Sequence, residues 1–269
     1  MLYLQETIEE MCGNMEQKLK TIVLAAGKGT RLHEEGVDLP KVMRSVCGKP
    51  LLRYVLDALD FQPRENVILV VGYQKEKVTA AFPEYAYVEQ TEQLGTGHAV
   101  MCARGALEGF DGAVLVTCGD TPLIRRETYE ALIKQHFREE NACTMLTGSV
   151  SDNQSYGRIV RDAAGEFRAI VEDRDCTPEQ KAITEVNSGV LVFSAPALLA
   201  ALGELRTDNA QGEYYLTDVP EILLRQGLPV RTCTRDLGWE IVGVNKPEQL
   251  RLVEELLSAQ KHDGERAVK

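Results

Sequence analysis

The sequence has no apolar run long enough to cross a bilayer. Its richest apolar stretch, 190–202, is interrupted by Ser194 and Pro196. The N-terminus lacks the basic-then-apolar order of a secretion signal. Seven cysteines, at 12, 47, 102, 118, 143, 176 and 233, form no C-x-x-C pair, and their number is odd. That pattern reads as reduced thiols, not as a disulfide framework, and the expected location is the cytoplasm. Positive charge is also scarce. The net charge of −11 excludes a broad nucleic-acid footprint, so any anion site must be a local basic cluster. There is no Pro/Gly/Ser-rich linker and no internal repeat, and neither of the two common phosphate signatures is complete. G-x-G-x-x-G fails because Leu stands at 32, and the Walker pattern fails because Gly29 follows Lys28.

What is present begins at 21–31, TIVLAAGKGTR. Residues 21–26 form an apolar, β-branched run of the kind that makes a buried strand. The run gives way to Gly27, Lys28, Gly29, Thr30 and Arg31. Glycines let a ligand approach the chain, successive amides can cradle an anion, and Lys28 and Arg31 add charge beside them. A tight strand-to-helix turn with solvated cations is the competing reading. Further on, Pro40 stiffens the backbone ahead of Lys41.

Downstream, strands and helices alternate. Strands are expected at 67–71, 85–88 and 113–118. Helices are expected at 51–61 (opened by Pro50), 74–82, 97–107 and 125–140. This order implies an α/β fold with a largely parallel, doubly wound sheet, whose ligands bind beyond the carboxyl ends of the strands. The polar loops 27–31, 90–97 and 119–122 fall at that edge. After residue 142 the pattern becomes more antiparallel. Strands are expected at 142–150, at 158–171 with a hairpin turn at 162–165, and at 185–193, 229–234 and 239–244. Helices are expected at 196–202, at 216–226 and from Pro247 onward. Residues 1–18 read as an amphipathic helical extension, 19–246 as the main domain, and 247–269 as a C-terminal helix and polar tail.

Several collinear motifs resemble one family. The run 24–31 followed by Leu39-Pro40-Lys41 resembles the signature of the sugar-1-phosphate nucleotidyltransferases. Gln90 with QLGTGHA at 93–99, GDTPL at 119–123, YGRI at 156–159, IVE at 170–172, VNSG at 186–189, NAQGEYYLTD at 209–218 and GVN at 243–245 narrow this. Together they resemble the uridylyltransferase domain of bifunctional N-acetylglucosamine-1-phosphate uridylyltransferases, over about 20–250.

The resemblance implies a Rossmann-like nucleotide-diphosphosugar transferase fold with a mixed sheet. It implies Mg²⁺-dependent transfer of UMP from UTP to N-acetylglucosamine 1-phosphate, giving UDP-N-acetylglucosamine and pyrophosphate. By resemblance, Leu24, Ala25, Ala26, Gly27, Gln90, Gly95 and Thr96 hold the nucleotide, and Asp120 and Asn245 hold Mg²⁺. Gly157, Glu172, Asn187 and Asn245 hold the sugar, with Cys118, Gly119 and Asp120 lining the same pocket. Lys28, Arg31 and Lys41 offset phosphate charge.

These residue types suit the chemistry. Phosphoryl transfer needs positioning and charge neutralisation more than covalent work, and Mg²⁺ takes oxygen ligands and keeps several waters. Gln90 offers one donor and one acceptor to uracil, although a flipped amide would serve cytosine.

Each residue also has a plainer role open to it. Asp120 before Pro122 suits a turn, Asn187 and Asn245 suit left-handed turns, Glu172 suits a solvated charge, and His98 suits a structural place in its helix. Two features depart from the family. The hexapeptide repeats of an acetyltransferase domain are absent from this sequence, so acetyl transfer is not expected. Cys118 stands where some members carry Tyr, which leaves other sugar 1-phosphates open. A non-catalytic nucleotide-sugar-binding protein is the alternative from another class. No nucleic-acid or membrane partner is expected, and the oligomeric state is not legible in the sequence.

Overall fold

A computed structural model describes residues 18–32, 38–153 and 155–267. Residues 1–17 of the extension expected to be helical at 1–18, and the polar segment 33–37, lie outside the described residues.

Among the described residues nine strands form one sheet: β1 (Leu19–Ala25), β2 (Val67–Val71), β3 (Ala86–Glu89), β4 (Ala113–Cys118), β5 (Cys143–Ser149), β6 (Arg158–Arg161), β7 (Phe167–Val171), β8 (Glu185–Ser194) and β9 (Val230–Thr234). Their order is β9-β5-β8-β4-β1-β2-β3, with β6 pairing β8 and β7. Strands β4, β1, β2 and β3 pair in parallel. Strand β8 runs antiparallel to β4, β5 and β6, and β9 returns parallel to β5. The expected mixed, mostly parallel sheet with an antiparallel second half is therefore observed.

The period-two alternation of the strands supplies two cores. Leu19, Val23, Ala25, Val67, Leu69, Ala113 and Leu115 face one side. There they meet α1 (Leu51–Ala58), α2 (Lys75–Ala81) and α5 (Arg126–Arg138) through Leu52, Val55, Val78, Tyr129 and Leu132. Ile22, Val70, Val114 and Val116 face the other side. They meet α3 (Thr96–Cys102), α4 (Arg104–Leu107), α7 (Ala195–Ala201) and α8 (Val219–Arg225). Strands buried on both faces are near-continuous apolar runs, which is why they were readable in the sequence. A one-turn helix, α6 (Pro178–Lys181), is fixed by a capping box from Thr177 and Gln180. The last helix, α9 (Pro247–Ala267), closes a third small cluster, in which Val253 and Val244 pack with Val46, Leu51 and Leu123.

Three expectations are corrected. Residues 239–244 are not a strand. Gly238–Ile241 form a 3₁₀ turn, entered by Gly238 at positive φ, and the turn brings Glu240 to the Arg125 guanidinium and the Thr128 hydroxyl. The helix expected at 97–107 breaks at Ala103, whose amide bonds to the Val100 carbonyl and which starts the separate turn of α4. Pro50 is the residue before α1, not its first helical residue.

Candidate active site

The site lies beyond the carboxyl ends of β1 and β4, where a doubly wound sheet places ligands. Gly119, just past β4, donates its amide to the Leu24 carbonyl at 2.9 Å, tying the two strand ends together. Gly29 takes φ +69, and a Cβ there would lie 2.6 Å from Cβ of Lys41, so the loop and the Lys41 stem pack in direct contact. Pro40 precedes a 3₁₀ turn (Lys41–Met43), and Met43 N–H donates to the Pro40 carbonyl at 2.9 Å. The stiff setting inferred for Lys41 is thus present as a built turn.

Lys41 reaches across the site. Its ammonium pairs with the Asp120 carboxylate and donates to Asn245 Oδ1 at 2.6 Å. Asn245, 204 residues further along, is held by its own amide, which donates to Gln249 Oε1 on α9 at 2.7 Å. The Asp120 carbonyl accepts from Val244 N–H at 2.9 Å, locking the two segments side by side. Neither Asn187 nor Asn245 has positive φ, so neither is there to supply a left-handed turn.

Two cavities meet at this cluster. One, of about 240 Å³, is lined by Leu24, Ala26, Gly27, Gln90, Gly95 and Thr96 together with Lys41, Cys118 and Asp120. The other, of about 310 Å³, is lined by Gly157, Glu172, Asn187, Asn245 and Thr217 together with Leu24, Lys41, Thr96, Cys118 and Asp120. The five residues common to both make one continuous cleft with Lys41 and Asp120 at the junction. Ala25 is buried in the core behind this wall. Lys28 and Arg31 line neither cavity. Both are exposed, and the Lys28 ammonium sits 5.3 Å above the Tyr73 ring.

In the first cavity, Gln90 is nearly fully buried. Its side-chain NH₂ faces the Gly95 carbonyl at 3.0 Å and His98 Nδ1 at 3.1 Å. The donor expected to face a base is therefore engaged within the loop. Gly95 adopts φ +106, and a Cβ there would meet the Tyr214 carbonyl at 2.5 Å, so this position requires glycine on both counts. Thr96 Oγ1 accepts from Leu216 N–H at 3.0 Å.

In the second cavity, β8 carries a register shift between Asn187 and Leu191. Asn187 N–H donates to the Gly157 carbonyl at 2.9 Å, and Asn187 Oδ1 accepts from Gly189 N–H at 3.1 Å. Burial raises the Glu172 carboxyl above its ordinary range, and the Thr217 hydroxyl, donating at 2.8 Å, partly restrains the rise. Burial also pushes the Cys118 thiol up to about 12, with the Asp120 charge adding to it. Cys118 is therefore a neutral wall group and no nucleophile. Beside Glu172, the fully buried Arg158 pairs with Asp173 at 2.8 Å.

Sequence reasoning gave no role to Thr217, Glu213, Gln249 or Arg158. Thr217, Glu213 and Arg158 sit inside the motifs, but the carboxylate partners of Thr217 and Arg158 lie 45 and 15 residues away. Gln249 carried no signal beyond its place near the start of α9.

The oxygens of Asp120 and Asn245 converge on one cationic point, filled here by the Lys41 ammonium. A hard divalent cation suits such a carboxylate–amide oxygen pair. Among the described residues there is no cluster of three or more His, Cys, Asp or Glu able to hold a metal by themselves.

This fold, with a cleft at the strand ends around a Lys–Asp–Asn junction, defines a class. The nucleotidyl transferase family model matches residues 20–250, and the chain belongs to that family. It is 46% identical over 238 residues to the bifunctional protein GlmU of Clostridium novyi (strain NT), covering 88% of this chain and 51% of that protein. It is likewise 46% identical over 243 residues to the bifunctional protein GlmU of Streptomyces coelicolor, covering 88% of this chain and 50% of that one. The chain thus spans about half the length of these relatives. A putative glucose-1-phosphate thymidylyltransferase from Bacillus anthracis shares the fold, with a TM-score of 0.70 at 16% identity, over 88% of this chain and 94% of that one. No helix among the described residues is long and apolar enough to cross a membrane.

Proposed function

We propose that this chain transfers UMP from UTP to N-acetylglucosamine 1-phosphate, yielding UDP-N-acetylglucosamine and pyrophosphate. The observation that carries the reading is the continuous two-part cleft with Lys41, Asp120 and Asn245 at its junction. The nucleoside occupies the cavity of Gln90, Gly95 and Thr96. The sugar occupies the cavity of Gly157, Glu172 and Asn187, whose polar groups match its hydroxyl and amide substituents. The phosphates then meet at the junction.

There a phosphate oxygen of the sugar 1-phosphate attacks the α-phosphorus of UTP. The new O–P bond forms as the α–β bridging bond breaks, and pyrophosphate leaves in line. The protein aligns the two substrates and offsets their charge, which is most of what such a transfer requires. Lys41 leaves its contact with Asp120 and Asn245 and turns to the phosphates. Asp120 and Asn245 would hold Mg²⁺, which would supply charge neutralisation at the junction. Lys28 and Arg31, exposed beside the cleft mouth, contribute long-range attraction for the triphosphate.

The test is pyrophosphate release across a panel of nucleoside triphosphates and sugar 1-phosphates. The reading expects the highest kcat/KM for UTP with N-acetylglucosamine 1-phosphate. Faster turnover with glucose 1-phosphate would overturn the sugar assignment.

A further inference from the structure

Gln90 can read a pyrimidine in two opposite ways, because its amide presents either an acceptor or a donor. The surroundings fix which. The Gly95 carbonyl can only accept, so the Gln90 atom 3.0 Å from it is the NH₂ nitrogen. The same nitrogen lies 3.1 Å from His98 Nδ1. Its second hydrogen points there, so Nδ1 must be unprotonated and the imidazole proton must sit on Nε2. His98 Nε2 in turn lies 4.0 Å from Cys102 Sγ, an acceptor one turn along α3. The Tyr214 ring lies next to it, tilted by 31° with its centroid 6.4 Å away.

With both amide hydrogens engaged, the group Gln90 can offer the cavity is its carbonyl Oε1. An acceptor there pairs with the N3–H of uracil and opposes the lone pair on N3 of cytosine. We infer that His98 is a positioning residue that clamps the Gln90 amide in its acceptor-out orientation and so selects uracil over cytosine. Without His98 the amide keeps one anchor, Gly95, and its flipped form no longer leaves a second acceptor unpaired. Discrimination by one correctly placed polar group rests on the cost to the wrong partner as much as the gain to the right one.

This inference rests on the uridine reading of the first cavity, and the experiment separates the two. Wild type, His98→Phe and His98→Asn are compared by kcat/KM for UTP and for CTP. Phe keeps ring volume but cannot accept, whereas Asn places an oxygen near the position of Nδ1. The ratio of two substrates on one sample does not depend on the folded fraction, so partial misfolding does not blur it.

The expected result is a UTP:CTP ratio that falls about tenfold or more in His98→Phe, the size of one buried donor losing its acceptor. In His98→Asn the ratio returns close to that of wild type. A His98→Phe enzyme that keeps the full ratio overturns the inference while leaving the uridine reading intact. A wild type that uses CTP as readily as UTP overturns the uridine reading and the inference with it. A second readout needs no variant: ¹⁵N shifts of His98 in the native chain should show Nε2 protonated and Nδ1 bare, and the opposite tautomer overturns the clamp.

Discussion

In the parallel half of the sheet, the cleft is walled by strand ends, glycines and one buried amide, and its charged groups either converge on Lys41 or face solvent. In the antiparallel half, charge is carried inward. Arg158 is buried against Asp173, Arg161 pairs with Glu185 at 2.7 Å, and Glu172 sits beneath the Thr217 hydroxyl. On the proposed reading the first half takes a flat, weakly charged base and positions it by backbone approach. On the proposed reading the second half takes a ring of hydroxyls; its buried groups are mostly partnered, with Arg158 Nε left without a partner. The two halves should therefore fail differently when broken.

The largest effect is expected at the junction. Asp120→Asn keeps a turn-competent residue but removes the carboxylate charge. Steady-state assays should show kcat lowered by roughly 10²–10³, the cost of losing one preorganised electrostatic group. Raised Mg²⁺ should restore part of it, and the melting temperature without substrates should stay near that of wild type, because the pair with Lys41 is not fully buried. If stability and activity fall together, Asp120 is structural.

Arg158→Met should show the converse. Breaking a buried pair from one side typically costs about 3–5 kcal/mol. Asp173 is only partly buried, so urea unfolding should show a loss at the low end of that range. Both KM values of the remaining folded enzyme should change less than its stability does. Unchanged stability would show that the antiparallel half does not depend on its inward charge.

A pH experiment sharpens the same contrast on the outer side of the sheet. His136 is buried against Thr144 on β5, and burial lowers its pKa from 6.5 to about 4. Below pH 6.5 the unfolded chain takes up a proton that the folded chain refuses until about pH 4. Stability from this group is present at neutral pH and is lost as pH falls through that window, by up to roughly 3 kcal/mol. Asp218, raised by burial to about 6, acts in the opposite sense, because the folded chain there holds the proton longer. The difference between wild type and His136→Gln isolates the histidine: its pH slope between 6.5 and 4 should be steeper in wild type. Equal slopes would show that His136 is not held neutral.

The smallest expected effect is selective. Glu172→Gln keeps the shape of the sugar cavity but weakens its acceptor. KM for the sugar phosphate should rise about tenfold while KM for UTP stays unchanged. A matched rise in both would place Glu172 outside the sugar contacts.

The two halves also differ in how much of them was legible in the sequence. The parallel half was readable because each feature is local. Doubly buried strands are unbroken apolar runs, and the glycine loop and the QLGTG loop keep their signals within a few residues. The site was legible as a set of motifs, and the structure brings most of them to one cleft. The partnerships were not legible. Nothing near Lys41 announces Asn245, and nothing in Gln90 announces which way its amide points, because those contacts are set by tertiary packing. The 239–244 segment was misread for the same reason. Its apolar residues resemble a strand, but the pull of Glu240 toward Arg125 and Thr128 winds the start of it into a turn. Lys28 and Arg31 looked like a phosphate cradle by composition, yet they stand outside both cavities.

The central claim is tested most directly by competition in one tube. The protein is given UTP, Mg²⁺ and equal amounts of N-acetylglucosamine 1-phosphate and glucose 1-phosphate, and the early products are weighed by mass spectrometry. The account predicts UDP-N-acetylglucosamine as the dominant product, formed together with an equal amount of pyrophosphate. UDP-glucose in excess, or no UDP-sugar while UTP still binds, would contradict it.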